Sequence, residues 1–92
     1  MSQEPSLLEE ALARRVLPEP PERRAIRLAA GISQRRLATA LGVSPTALRF
    51  YESGRSEPRA AHLTRYCELL LDLARLVAEV ERRTAEVKGV DR

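Results

Sequence analysis

The sequence predicts an all-α fold of several short helices and one long C-terminal helix. Three observations predict it. Leu, Ala, Arg and Glu dominate the 92 residues, and these are good helix formers. No stretch alternates β-branched and polar residues as a half-buried strand does. Gly and Pro sit at the edges of amphipathic stretches, and neither occurs between Pro58 and Gly89. The length suits one domain. A domain this small buries about 60–65% of its unfolded surface, so its core is modest and dimerisation would add to it. Hydrophobic residues make up 43% and charged residues 32%, a balance that folds and is not disordered.

Each element has its own start and stop. Ser6 caps a first helix, with Glu9 three residues on as in a capping box, and Leu8, Leu12 and Val16 share one face. The run Pro-Glu-Pro-Pro-Glu at 18–22 ends that helix as a stiff hinge. Pro21 fits the first turn of a second helix, where a missing N–H costs nothing. Ile26, Ala29 and Ala30 give this helix an apolar side, and Gly31 ends it. Ser33 is an N-cap for a third helix closed by Gly42. Ser44 then Pro45 form an N-cap and first helical residue for a fourth, which runs to about Ser53 and stops at Gly54. Pro58 restarts the chain, and nothing breaks a helix from Arg59 to Val87, a length of about 43 Å.

That last helix carries Leu63, Tyr66, Leu70, Leu73, Val77, Val80, Thr84 and Val87 at alternating spacings of three and four. This is a heptad seam. Ala60, Leu63, Tyr66, Cys67 and Leu70 are expected to close the small core. Leu70, Leu73, Val77, Val80 and Val87 are the expected dimerisation residues, flanked by the mixed charges Glu79, Glu81, Arg82, Arg83 and Glu86. The competing expectation is that the N-terminal helix folds back and covers the stripe with Leu8, Leu12 and Val16.

Net charge is +3, but its distribution is uneven. Residues 21–66 hold nine arginines against three glutamates, a net of +6, while both flanks are slightly negative. Concentrated positive charge points to a polyanionic partner, or to solvated helix faces. Catalysis has no support. His62 and Cys67 are the only histidine and the only cysteine, and no third metal-type ligand lies near them in sequence. His62 reads as a surface residue and Cys67 as a small core residue. No phosphate-cradling glycine loop occurs. The expectation is a non-enzyme without metal, cofactor or evident small-molecule ligand. No apolar run approaches the ~20 residues of a membrane span, so no membrane partner is expected. The acidic N-terminus lacks a signal-peptide apolar region, and one cysteine fits a reducing compartment, so the expected location is cytoplasmic.

The stretch from Gln34 to Tyr51 is the most specific. Ala38 is small enough for two helices to cross closely. Gly42 can take a positive φ at the corner between them. Leu37, Leu41, Val43, Leu48 and Tyr51 supply an apolar wedge. Two helices joined this way make a helix-turn-helix, whose second helix can lie in the DNA major groove.

Over residues 22–72 the chain resembles the Cro/lambda-repressor-type (Xre) helix-turn-helix family. The resemblance rests on Gly-x-Ser-Gln at 31–34, Leu37-Ala38, Leu-Gly-Val-Ser at 41–44, then Leu48 with Tyr51-Glu52 and Gly54, then Pro58. It implies a lambda-repressor-like bundle in three parts: an N-terminal helix and hinge at 1–20, a DNA-binding domain at 21–72 and a C-terminal helix extension at 73–92. It also implies an ion pair between Arg27 and Glu52, for which two surface charges are the alternative. By the same resemblance Gln34 meets a phosphate, and Thr46, Arg49 and Phe50 lie on the exposed side of the recognition helix that Ser44 and Pro45 begin. Arg49 can fork onto guanine O6 and N7. Phe50 can pack on a thymine methyl, contact a partner protein or tuck against the following helix. Arg35, Arg36, Arg55 and Arg59 are candidate phosphate contacts, which position without specifying. The sequence departs from the commoner pattern at Pro45 and Phe50, where relatives often carry polar or basic residues. The segment Leu-Arg-Phe-Tyr-Glu-Ser-Gly also resembles MerR-type regulators, but those begin with their helix-turn-helix and follow it with a wing. The expected function is a sequence-specific regulator of double-stranded DNA, a dimeric repressor reading an inverted repeat. The alternative is a protein-interaction module, antitoxin-like or adaptor, docking a partner through the long helix.

Overall fold

Three serines and three glycines punctuate the chain into five helices. The computed structural model describes residues 6–90, with side chains through residue 88. The helices are α1 (Leu7–Val16), α2 (Pro20–Ala29), α3 (Gln34–Leu41), α4 (Pro45–Ser53) and α5 (Ala60–Val90). The Oγ of Ser6, Ser33 and Ser44 each accepts a hydrogen bond from the backbone N–H three residues on, at 3.0–3.1 Å. Each cap satisfies a donor that the first helical turn leaves free. At the other ends Gly42 (φ 85°) and Gly54 (φ 80°) adopt the left-handed conformation that a Cβ disfavours. The Gly42 N–H then donates back to Ala38 O at 2.8 Å, and Val43 N–H to the same oxygen at 3.0 Å.

The core sits where α3, α4 and α5 meet. Leu37, Ala38 and Leu41 from α3, Leu48 and Tyr51 from α4, and Tyr66 and Leu70 from α5 form one buried cluster. Ala38, 1% exposed, lies inside this cluster. The Tyr51 and Tyr66 rings lie 5.6 Å apart, tilted by 38°, a favourable aromatic geometry. Ile26, Ile32, Val43, Ala47 and Leu73 pack around the rim. Pro58 is fully buried just ahead of α5.

The α1 helix docks beside this core, against the first turns of α5. It inserts Ala13, with Leu17 beyond its end, against Leu63 and Cys67. Its Leu8, Leu12 and Val16 remain 82%, 64% and 43% exposed. These three do not cover the seam of α5. Ala13 is the buried docking residue because its methyl lets the two helices approach closely, and Leu12 and Val16 beside it line an open groove with Thr64, Cys67, Glu68 and Leu71 of α5.

Two sequence expectations need correction on α5. The helix does not stop before Gly89 but continues to Val90. A glycine in a helix costs about 1 kcal/mol relative to alanine and does not end it. Leu70, expected at a dimer contact, is 0% exposed inside the chain's own core and is not available to a second copy. The free part of the seam begins beyond it. Leu73 and Val77 are half-buried, and Val80 and Val87 are exposed. The described chain is accordingly elongated, 54 × 27 × 23 Å, with the distal half of α5 projecting from the helical head.

Candidate nucleic-acid interface

Two buried arginines hold α2 against α4 and set the attitude of the latter. Arg27 Nε donates to Glu52 Oε2 at 2.5 Å, and its Nη2 to Oε1 at 3.0 Å. Both side chains are buried, and Arg27 Nη1 also donates to Ile32 O at 2.9 Å. The pair is the planar two-pronged arrangement that only guanidinium offers a carboxylate. The alternative of two surface charges is therefore excluded by burial. Gln34 completes the group: its Nε2 donates to Glu52 Oε1 at 3.1 Å. Glu52 thus ties the start of α3, the end of α2 and the end of α4 at one point.

Arg23 is the residue that sequence reasoning missed. It is 4% exposed. Its Nε donates to Pro18 O at 2.6 Å and its Nη1 to Tyr51 O at 2.9 Å, while Nη1 lies 3.0 Å from Glu57 Oε1. It satisfies the hinge carbonyl before α2 and a carbonyl of the last turn of α4 together. Its signal in the sequence was its position four residues before Arg27, on the same helix face. With Arg23 and Arg27 neutralised by Glu57 and Glu52, the positive charge of residues 21–66 rests on Arg24, Arg35, Arg36, Arg49, Arg55, Arg59 and Arg65, all exposed.

With α4 fixed by Leu48, Tyr51 and Glu52, its other side faces out. Ser44, Pro45, Thr46 and Arg49 are exposed. Phe50 is half-buried, and the Arg55 guanidinium stacks over its ring, 4.7 Å from the centroid. The left-handed Gly54 makes this contact. It turns the chain so that Arg55 N–H donates to Phe50 O at 3.0 Å and the side chain folds back over the ring. Phe50 is thus neither bare on the outer side of α4 nor tucked into the core; it forms one surface with Arg55. Arg35 and Arg36 are exposed in the first turn of α3, whose N-terminal end carries the positive pole of the helix dipole. Arg59 is exposed just before α5. Gln34 is half-buried with one amide donor already engaged by Glu52, so one N–H remains for an external acceptor.

Other reactive groups lie elsewhere. Burial, followed by the neighbouring Glu68 carboxylate, pushes the Cys67 thiol up from its ordinary value. Burial is also the main cause that raises the Tyr66 phenol, with Glu52 second. Both groups are neutral at pH 7 in the folded chain. His62 is exposed on α5. Among the described residues no group of three metal-ligating side chains converges, and no helix is long and apolar enough to cross a membrane.

The helix-turn-helix family model, of Cro/C1 type and Xre-like, matches residues 24–70. The chain belongs to the Xre-like helix-turn-helix family. The matched span runs from the middle of α2 to Leu70 and contains every residue of the buried cluster formed by α3, α4 and α5. The helix-turn-helix fold is lambda-repressor-like, and the family is one of DNA-binding regulators. In this Xre-like chain α3 and α4 are the helix-turn-helix pair. Neither the curated proteins nor the solved structures provide a match to the chain.

Proposed function

We propose that this helix-turn-helix chain is a dimeric, sequence-specific repressor in the cytoplasm that occupies an inverted-repeat operator and blocks polymerase by exclusion. One observation carries the reading: Leu48, Tyr51 and Glu52 lock one side of α4 while Thr46 and Arg49 stand exposed on the other. Docked in a major groove, Arg49 reads guanine through two hydrogen bonds. Thr46, one turn earlier, contacts a base edge or phosphate. The Phe50–Arg55 unit offers both an apolar edge for a thymine methyl and a guanidinium for the adjacent phosphate. Ser44 and Pro45 bring the first turn of α4 to the backbone. Gln34, through its remaining N–H, and Arg35, Arg36 and Arg59 fix the register on phosphates.

A salt series on duplex binding tests this, because displaced counterions make the affinity of several arginine–phosphate contacts fall steeply with salt. Arg49→Ala is expected to relax preference at one base pair, at a cost of about 1–3 kcal/mol for the correct base. Arg55→Ala is expected to weaken all sequences alike. Unchanged sequence preference in Arg49→Ala rules out α4 as the reading helix.

A second reading has its own observation. Leu7 and Leu8 on α1 are more than four-fifths exposed, which favours a protein-interaction module whose helices dock a partner. Under it, duplex binding is weak, insensitive to salt and blind to sequence.

A further inference from the structure

The projecting half of α5 has an apolar face and a groove beside it. Leu76, Val77, Val80 and Glu81 line this groove with Ala29 and Ala30 at the end of α2, and its volume is about 450 Å³. Leu28, Leu76, Val80 and Val87 around it are each at least half exposed. The face is the continuation of the core seam, so a second copy of the same helix has the matching pattern. Charge selects the direction in which it runs. On the heptad of this seam Leu76 and Arg83 occupy one flank, and Ala74, Glu81 and Lys88 the other. In a parallel pair Arg83 faces Lys88 of the second copy on both sides, a like-charge contact. An antiparallel pair centred between residues 78 and 79 avoids this. Val77 then meets Val80 of the second copy, Leu73 meets Thr84, Leu76 lies under the Arg83 stem, and Glu81 faces Ala74. Residues 76–81 of the second copy then lie level with the groove, whose far wall is Ala29 and Ala30, and its Val87 lies level with the covered Leu70.

From this complementarity we infer that the distal half of α5 pairs antiparallel with the same segment of a second copy, whose residues 76–81 lie along the groove between α2 and α5. The inference deepens the dimeric DNA-binding reading and rests on it for the half-site geometry. At 1.5 Å per residue, segments centred near residue 66 in the two copies lie about 38 Å apart along the pair. Half-sites on one face of B-DNA are spaced about 34–36 Å.

Disulfide trapping of the full chain under mild oxidation tests the pairing, with the wild-type chain, whose Cys67 is buried, as the blank. The double variant Leu76→Cys/Arg83→Cys is expected to convert most of the protein to a covalent dimer. Val87→Cys is expected to give no dimer above the blank, since the two copies of residue 87 are about 25 Å apart in this register. Efficient linkage through Val87→Cys overturns the inference in favour of a parallel pair. Linkage through neither variant overturns it as well. Duplex binding is measured on the same samples. A chain that fails to link yet binds duplex with a steep salt dependence loses the antiparallel assembly and keeps the DNA reading. A linked dimer indifferent to every duplex keeps the assembly and loses the DNA reading.

Discussion

At the scale of single residues, Glu52 matters most, because three donors from two other elements converge on its carboxylate. Glu52→Gln keeps the shape and removes the charge, leaving Arg27 buried without its counter-ion. Breaking such a pair from one side costs about 3–5 kcal/mol, a large part of the stability of a domain this small. Urea denaturation is expected to show that loss, and Arg27→Met/Glu52→Met is expected to lose less than the two single changes added together. A loss under 1 kcal/mol in Glu52→Gln contradicts the buried geometry. Arg27 and Glu52 were legible because the family resemblance supplies both positions. Arg23 was not, because its partners, Pro18 O, Tyr51 O and Glu57, are brought together only by the folded chain, and an arginine reads as surface by default. The Phe50–Arg55 stack escaped for the same reason: the four residues between them reverse direction at Gly54. Cys67 provides a further check at this scale. Its thiol is buried and held protonated, so a maleimide at neutral pH is expected to label it slowly in the folded chain. Labelling should accelerate with denaturant in step with unfolding, and rapid native labelling contradicts its place under α1.

At the scale of elements, boundaries were legible wherever a local rule decides them. Ser6, Ser33 and Ser44 cap and Gly42 and Gly54 stop, because each acts within a turn or so of its own position. What α1 packs with was not legible: its three large apolar residues outrank Ala13 on any hydrophobic pattern, yet only the small residue permits close approach to Leu63 and Cys67. The two glycine corners should differ. Both have positive φ, which costs a residue with a Cβ roughly 1–2 kcal/mol. A Cβ at Gly42 meets open space, whereas one at Gly54 would lie 3.3 Å from the Pro20 ring at the start of α2. Gly54→Ala is therefore expected to destabilise more than Gly42→Ala, and equal losses in urea contradict the α2–α4 contact. Further along, hydrogen bonds from Arg82 and Arg83 hold the Glu79 carboxyl below its ordinary 4.5. A depressed acid stabilises above its unfolded value and loses that contribution as pH falls through the folded one. Circular dichroism is expected to show helix lost from distal α5 as pH drops below 4.5, and Glu79→Gln to lack that increment.

At the scale of the whole molecule, charge and shape are separated along the chain. The head carries seven exposed arginines on residues 21–66 against Glu22 alone, once Arg23 and Arg27 are cancelled by Glu57 and Glu52. The projecting helix is closer to neutral and laced with its own ion pairs, Arg75 to Asp72 and Arg82 and Arg83 to Glu79. A polyanion should thus act on the head and leave the distal helix alone. Binding to the folded state alone stabilises it by mass action, about 2.7 kcal/mol at a free duplex concentration one hundred times Kd. Thermal denaturation with duplex present is expected to show that gain at low salt and to lose most of it as salt rises, since each displaced phosphate counterion contributes to the slope. Arg55→Ala should reduce both the gain and its salt dependence. Glu79→Gln, far along α5, should change the melting temperature of the free chain and leave the duplex-induced increment intact. A duplex-induced gain that survives high salt, or one that vanishes in Glu79→Gln, would place the nucleic-acid contact somewhere other than on the arginine-bearing head.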